Sequence, residues 1–123
     1  MNNWSRNALL WNLANNASFG PSTPGGCSVC MGALTISGST ITRNPGYYII
    51  GQASKFVPAG SIRVASSTQS NLPNVAFMTP GGGKALIVTN SSTTTTQTFN
   101  IGFKGKTVSA TLQPGSVGTF VWQ

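Results

Sequence analysis

From about Ser61 onward, apolar side chains recur at every second position in short runs separated by turn residues, the pattern of half-buried β-strands. Ser61-Ile-Arg-Val-Ala-Ser places Ile62 and Val64 on one face. After the Asn71-Leu-Pro-Asn break, Val75 and Phe77 alternate in the next strand. Pro80-Gly-Gly-Gly is a strong turn signal, since glycine accepts positive φ without steric cost. Lys84-Ala-Leu-Ile-Val-Thr-Asn then carries a continuous apolar run, expected of a central strand covered on both faces. A polar Ser/Thr loop follows over 90–96. Beyond it, Phe99, Ile101 and Phe103 share one side of a strand, and Val108, Ala110 and Leu112 share one side of the next. Pro114-Gly115 makes the last turn before Ser116-Val-Gly-Thr-Phe-Val-Trp. Five or six antiparallel strands at this spacing predict an all-β chain built as an antiparallel β-sandwich.

The first half is less regular. Trp4 to Leu13 is apolar-rich and predicts a short helix running into a strand, with Leu9, Leu10, Trp11 and Leu13 buried. Residues 15–26 have loop composition. Ala33-Leu-Thr-Ile and Thr40-Ile-Thr-Arg flank Ser37-Gly38-Ser39, a hairpin signal. One helix is well marked: Asn44 suits the N-cap and Pro45 the first helical position, and Tyr48, Ile49, Gln52, Ala53 and Phe56 follow at helical spacing. Pro58 stops it. Gly46 and Gly51 each weaken that helix by about 1 kcal/mol relative to alanine.

Composition removes whole classes of chemistry. Among 123 residues there is no aspartate, glutamate or histidine. General acid–base catalysis, metal-assisted hydrolysis and Ser-His-Asp triads draw on those side chains, and glycoside hydrolysis in its usual form needs two carboxyl groups. No catalytic residue, metal ligand set or cofactor site is therefore assigned, and the chain is expected to bind or support rather than catalyse. Hydrophobic residues make up 39% and charged residues 6%, so the chain should fold, with Ser, Thr, Asn and Gly supplying its polar surface. No apolar run approaches the ~20 residues of a spanning helix, and the first six residues lack the blocks of a signal peptide.

The net charge of +7 raises the question of an anionic partner. Its seven cations, Arg6, Arg43, Lys55, Arg63, Lys84, Lys104 and Lys106, are dispersed, and only the last two sit close together. The charge reflects missing acids rather than abundant bases, and nucleic-acid binding is not expected.

Cys27 and Cys30 form a Cys-x-x-Cys pair in a Gly-rich loop. A mononuclear zinc site needs four ligands, which one chain with two cysteines and no histidine cannot supply. A thioredoxin-like role expects a βαβ context that the pattern does not show. The expectation is a small loop disulfide in a secreted or periplasmic protein. Three triplets, Asn3-Trp4-Ser5, Asn16-Ala17-Ser18 and Asn90-Ser91-Ser92, satisfy the N-glycosylation pattern, as a chain rich in Asn, Ser and Thr does by chance. Pro80-Gly-Gly-Gly-Lys84 lacks the ending and following helix of a phosphate loop and is read as a hairpin turn.

Taken in order, several segments resemble the C-terminal end of glycoside hydrolase family 30 enzymes, which include glucosylceramidase-like enzymes and endo-glycanases. They are Trp11-Asn-Leu-Ala, Gly25-Gly-Cys-Ser-Val-Cys, Tyr47-Tyr-Ile-Ile-Gly-Gln-Ala-Ser-Lys-Phe-Val, Gly60-Ser-Ile-Arg-Val-Ala-Ser, Asn74-Val-Ala-Phe, Leu86-Ile-Val-Thr-Asn-Ser-Ser and Gly115-Ser-Val-Gly-Thr-Phe-Val-Trp. The resemblance implies a β-sandwich packed beside a (β/α)8 barrel that carries two catalytic glutamates. It implies an N-terminal remnant of that barrel and loop over 1–30, with the last barrel helix-to-strand step in 1–13, and a sandwich over 31–123. The sandwich of such enzymes also takes strands from the N-terminus of the full protein. The chain would then be a non-catalytic C-terminal part, partnered by the barrel or self-associating, and exposing apolar surface around Leu9, Leu10, Trp11 and the helix from Tyr47 to Val57. Trp11 would match a tryptophan that holds the sugar at the end of the last barrel strand; without the barrel, core or interface packing is the competing role. Trp122 is read as packing. Two departures stand out: many relatives carry His-Phe where this chain has Gln52-Ala53, and acids near Asn15-Asn16. The alternative functions are a free-standing carbohydrate-binding module, which would need a row of exposed aromatics on one sheet face, and an electrostatic nucleic-acid binder.

Overall fold

The structure is a computed structural model that describes Asn3 and residues 5–123. It contains nine strands and one helix among those residues, grouped into two compact units over 3–53 and 54–123.

In the first unit, β1 (Ala14–Asn15) pairs in parallel with β2 (Leu34–Ser37), which pairs antiparallel with β3 (Thr40–Arg43). The β2–β3 hairpin turns at Gly38, whose φ of 58° is the conformation that the Ser-Gly-Ser signal calls for. Helix α1 (Pro45–Phe56) begins at the expected proline, and the Tyr47 N–H donates to Asn44 O at 3.0 Å. Gly46, unfavourable by propensity, has a packing reason: a Cβ there would lie 3.1 Å from Leu10 Cδ2. Residues 14–15 bond directly to 34–35, so β2 and β3 group with the first unit.

The helix expected over Trp4–Leu13 is not formed in its described part. Residues 5–10 have no regular structure, Trp4 lies outside the described residues, and the only strand is the two-residue β1. The physical reason is that only Leu10, at Gly46, finds a neighbour: Leu9 is 90% exposed and Leu13 is 75% exposed. A short helix is held mainly by burying an amphipathic face, and none is buried here.

The second unit matches the alternating pattern strand for strand. β4 (Ile62–Val64), β5 (Asn74–Met78), β6 (Lys84–Thr89) and β9 (Val117–Trp122) form an antiparallel sheet in the order β4-β5-β6-β9. β7 (Gln97–Phe103) and β8 (Lys106–Leu112) form a two-stranded second layer. The continuous apolar run is the interior strand β6, with Ala85 and Val88 both buried on its opposite faces. The layers meet through Leu72, Val88 and Leu112, joined by Leu86, Phe99 and Phe120. Phe99 meets Phe120 edge to face at 5.8 Å, and Phe103 meets Trp122 at 5.8 Å. Period-two spacing on β7 and β9 thus becomes two aromatic bridges between layers, each worth roughly 0.5–1.5 kcal/mol beyond area burial. This is the expected all-β sandwich, with a second layer only two strands wide.

Candidate functional site

Trp11 is 72% exposed and stands on the rim of a cleft of about 350 Å³ in the first unit. Phe19, Pro21, Ser22, Thr23 and Cys27 line the rest with it. Its placement follows from an asparagine-rich scaffold. Asn12 takes φ 78°, which asparagine tolerates better than most residues. Its Oδ1 accepts the Ala14 N–H at 3.1 Å, and its carbonyl accepts the Ala33 N–H at 3.1 Å. The indole is thus carried on a turn tied directly to the sheet.

Opposite, Asn16 Oδ1 accepts the N–H groups of Ser18 (2.9 Å) and Gly20 (2.8 Å), and this tight loop sets Phe19 at φ 61°. Asn15, only 4% exposed, donates from Nδ2 to Cys30 O at 2.7 Å and accepts the Gly32 N–H at Oδ1. Asn44 donates to Gly32 O and to Thr35 Oγ1. Cys27 and Cys30 are joined by a disulfide, and Asn15, within β1, ties the end of that loop to the strand. Buried amides with satisfied partners of this kind fix one geometry.

The cleft holds two aromatic rings, hydroxyls and amides, and no charged group. Such a lining can stack on the apolar face of a neutral pyranose and bond its hydroxyls. It offers no acid, base or carboxylate nucleophile. Sequence reasoning singled out Trp11 and the cysteines but read 15–26 as plain loop, missing Phe19 and the Asn12, Asn15 and Asn16 scaffold. Three asparagines within five residues were the available signal.

Two grooves flank the β7–β8 layer in the second unit. One, about 260 Å³, lies over Val64, Ala76 and Leu86 beside Phe99 and Ile101; the other, about 800 Å³, runs along Phe103, Val108 and Phe120 with Lys104 and Lys106. Trp122, expected as packing, lines both, and its Nε1 is buried without a hydrogen-bond partner. Lys84 and Lys104 Nζ stand 5.4 and 5.6 Å from the Phe103 ring centroid. The outward face of the hairpin carries Thr98, Asn100 and Gly102 opposite Thr111, Ser109 and Thr107, without an aromatic. Tyr47 and Tyr48, both exposed, lie on α1, where Arg43 approaches the Tyr47 ring at 5.3 Å. Among the described residues no group of side chains could hold a metal ion, and no helix is long and apolar enough to cross a membrane.

Residues 60–120 match the model of the glycosyl hydrolase family 30 β-sandwich domain. The chain is 33% identical over 98 residues to endo-1,6-β-D-glucanase neg1 of Aspergillus fumigatus, covering 74% of this chain and 20% of that protein. It is 32% identical over 120 residues to the lysosomal acid glucosylceramidase of Mus musculus, covering 92% of this chain and 22% of that protein. Among solved structures, the endo-β1,6-glucanase BT3312 superposes with a TM-score of 0.82 at 30% identity, over 98% of this chain and 27% of that one. The chain spans about a fifth of the length of the curated relatives it matches. The strand order, the two-layer core and these matches agree: the chain belongs to glycoside hydrolase family 30, as the C-terminal part that contains its β-sandwich domain.

Proposed function

We propose that this chain is a non-catalytic accessory domain of a family 30 glycoside hydrolase. It buttresses a catalytic barrel supplied by other polypeptide and contributes Trp11 to substrate positioning. The observation that carries the reading is the conjunction of a family 30 sandwich with a sequence that has no carboxyl side chain. The carboxylates that protonate the leaving group and attack the anomeric carbon must then come from elsewhere. The two-strand second layer, with a groove on each flank, and the exposed Leu9, Trp11, Leu13, Tyr48 and Ile49 are the surfaces that further polypeptide would cover. The disulfide supports maturation in an oxidising compartment, secreted or periplasmic. Similarity to two endo-1,6-β-glucanases and a glucosylceramidase points to a β-glucoside substrate for the assembled enzyme.

A free-standing carbohydrate-binding module receives no support from the β7–β8 hairpin, whose outward face bears no aromatic row. Sequencing the gene upstream of the Met1 codon tests the proposal. An open frame encoding a (β/α)8 barrel with two catalytic glutamates is expected. A stop codon followed by an independent start, together with turnover of an aryl β-glucoside by the purified chain, would overturn it.

A further inference from the structure

We propose that Asn16 is an acceptor for N-linked glycosylation in the folded chain, and that Asn90, in an equally good sequence triplet, is not. The inference rests on the reading that the chain matures in an oxidising compartment. The reaction joins the side-chain amide to a lipid-pyrophosphate-linked oligosaccharide. The Nδ2–C1 bond forms, the C1–O bond to phosphate breaks, the lipid pyrophosphate leaves with the electron pair, and Nδ2 gives up one proton. The product needs an Nδ2 with nothing else to hold and room for a bulky, solvated glycan.

Asn16 meets both requirements. It is exposed, and its described hydrogen bonds use Oδ1 and the backbone: Oδ1 accepts from Ser18 N and Gly20 N, its N–H donates to Gly20 O at 2.7 Å, and its carbonyl accepts the Phe19 N–H at 3.0 Å. The Asn16 side chain is therefore pinned through the oxygen, with Ser18, the hydroxyl residue of the triplet, in the same turn. Asn16 is outside the lining of the Trp11 cleft, so the modification leaves that cleft's walls intact.

Asn90 fails on both counts. It is 0% exposed, and its Nδ2 donates to the carbonyls of Thr95, Leu112 and Gln113 at 2.8, 3.1 and 3.1 Å. A sugar on that nitrogen would have to occupy the join between the two sandwich layers and would leave a single N–H where two now serve three carbonyls. A chain glycosylated there before folding cannot reach this structure.

The test is secretion of the chain from a eukaryotic host behind a supplied leader, followed by peptide-N-glycosidase treatment in heavy-oxygen water and tryptic mapping. Cleavage at Arg6, Arg43, Lys84 and Lys104 puts each triplet in its own fragment. Labelled aspartate is expected at position 16 and not at position 90, and Ser18→Ala, which keeps the backbone bonds of the turn, should abolish the Asn16 glycan. An unmodified Asn16, or a glycan on Asn90 in soluble chain, overturns the proposal. Alkylation of the chain from its source cells separates the two readings: free thiols at Cys27 and Cys30 would sink the compartment, whereas an intact disulfide with unmodified Asn16 in the secreted material would sink the acceptor.

Discussion

The Asn90 side-chain amide donates to the Leu112 carbonyl at 3.1 Å, across 22 residues, and so fastens the exit of β6 in one layer to the end of β8 in the other. The same side chain reaches Thr95 O and Gln113 O, its Oδ1 accepts the Ser92 N–H, and its backbone N–H donates to Ser116 O. One fully buried residue thus holds the Ser/Thr loop, the last turn and both layers together. Asn90→Ala should leave several buried carbonyls unpaired and cost on the order of 3 kcal/mol in chemical denaturation.

Asn90→Asp should behave differently, through its charge. The carboxylate would face three carbonyl oxygens in a site without solvent, which raises its folded-state pKa above the ordinary ~3.9. A raised folded pKa means stability present at low pH and lost as pH rises. The variant should therefore denature more easily at pH 7 than at pH 4, by more than about 1 kcal/mol. Equal midpoints at the two pH values would show that the site is not closed to water.

Two glycines should respond unequally to alanine. At Gly32 a Cβ would lie 3.1 Å from Ala14 Cα, 3.2 Å from Ala14 N and 3.2 Å from Leu34 O, all backbone. The β1–β2 pairing cannot yield without breaking, and Gly32→Ala should destabilise by about 2–3 kcal/mol. At Gly118 the nearest atom is Leu112 Cδ2 at 3.0 Å, the end of a side chain. Gly118→Ala should cost about 1 kcal/mol, with Leu112 changing rotamer. Urea midpoints of the two variants, compared at equal slope, check the order.

The sandwich was legible because its signal is periodic. Phe99, Ile101 and Phe103 at period two specify which face of β7 meets the sheet, and the unbroken run from Ala85 to Val88 specifies an interior strand. Helix α1 was legible because Pro45 and Pro58 are local start and stop chemistry, although Asn44, expected as its cap, meets the helix through its backbone carbonyl and spends its side-chain amide on Gly32 O and Thr35 Oγ1. The β1–β2 pair was not: a two-residue parallel pairing leaves no period, and it depends on Asn12 at positive φ and on a glycine at position 32 admitting the Ala14 backbone. The leucines at 9, 10 and 13 misled for the opposite reason. Their pattern is apolar, but burial needs a partner surface, and Leu9 and Leu13 have none here. Trp11 was singled out as a candidate by residue type and resemblance alone; its exposure and its neighbour Phe19 are products of the asparagine turns.

Stability of the unmodified chain should be almost independent of pH between roughly 4.5 and 7. Linkage requires a group that binds protons differently in the folded and unfolded states, and no side chain in this sequence titrates in that window. Side-chain salt bridges cannot form without acids, so none is lost on acidification. Seven positive charges repel throughout, so added salt should stabilise slightly by screening. Denaturant midpoints at the two pH values and matched ionic strength should agree within about 1 kcal/mol, and a larger gap would point to a bound partner.

Self-association of the isolated chain follows from what the first unit leaves uncovered. Leu9, Trp11 and Leu13 are 90%, 72% and 75% exposed, and Tyr48 and Ile49 on α1 and Ile41 on β3 are exposed as well. Single exposed apolar residues are ordinary, but two leucines on one short segment flanking an exposed tryptophan form the kind of patch that a partner covers. At roughly 25 cal/mol per Å² of buried apolar surface, closing even a modest part of it between two copies favours association. The chain should therefore bind a hydrophobic dye and show a sedimentation coefficient that rises with concentration. Leu9→Lys with Leu13→Lys should lower both signals while leaving the denaturant midpoint within about 0.5 kcal/mol, because neither side chain packs in the folded chain. A wild-type chain that stays monomeric at high concentration without binding dye would remove the argument that this surface awaits a barrel.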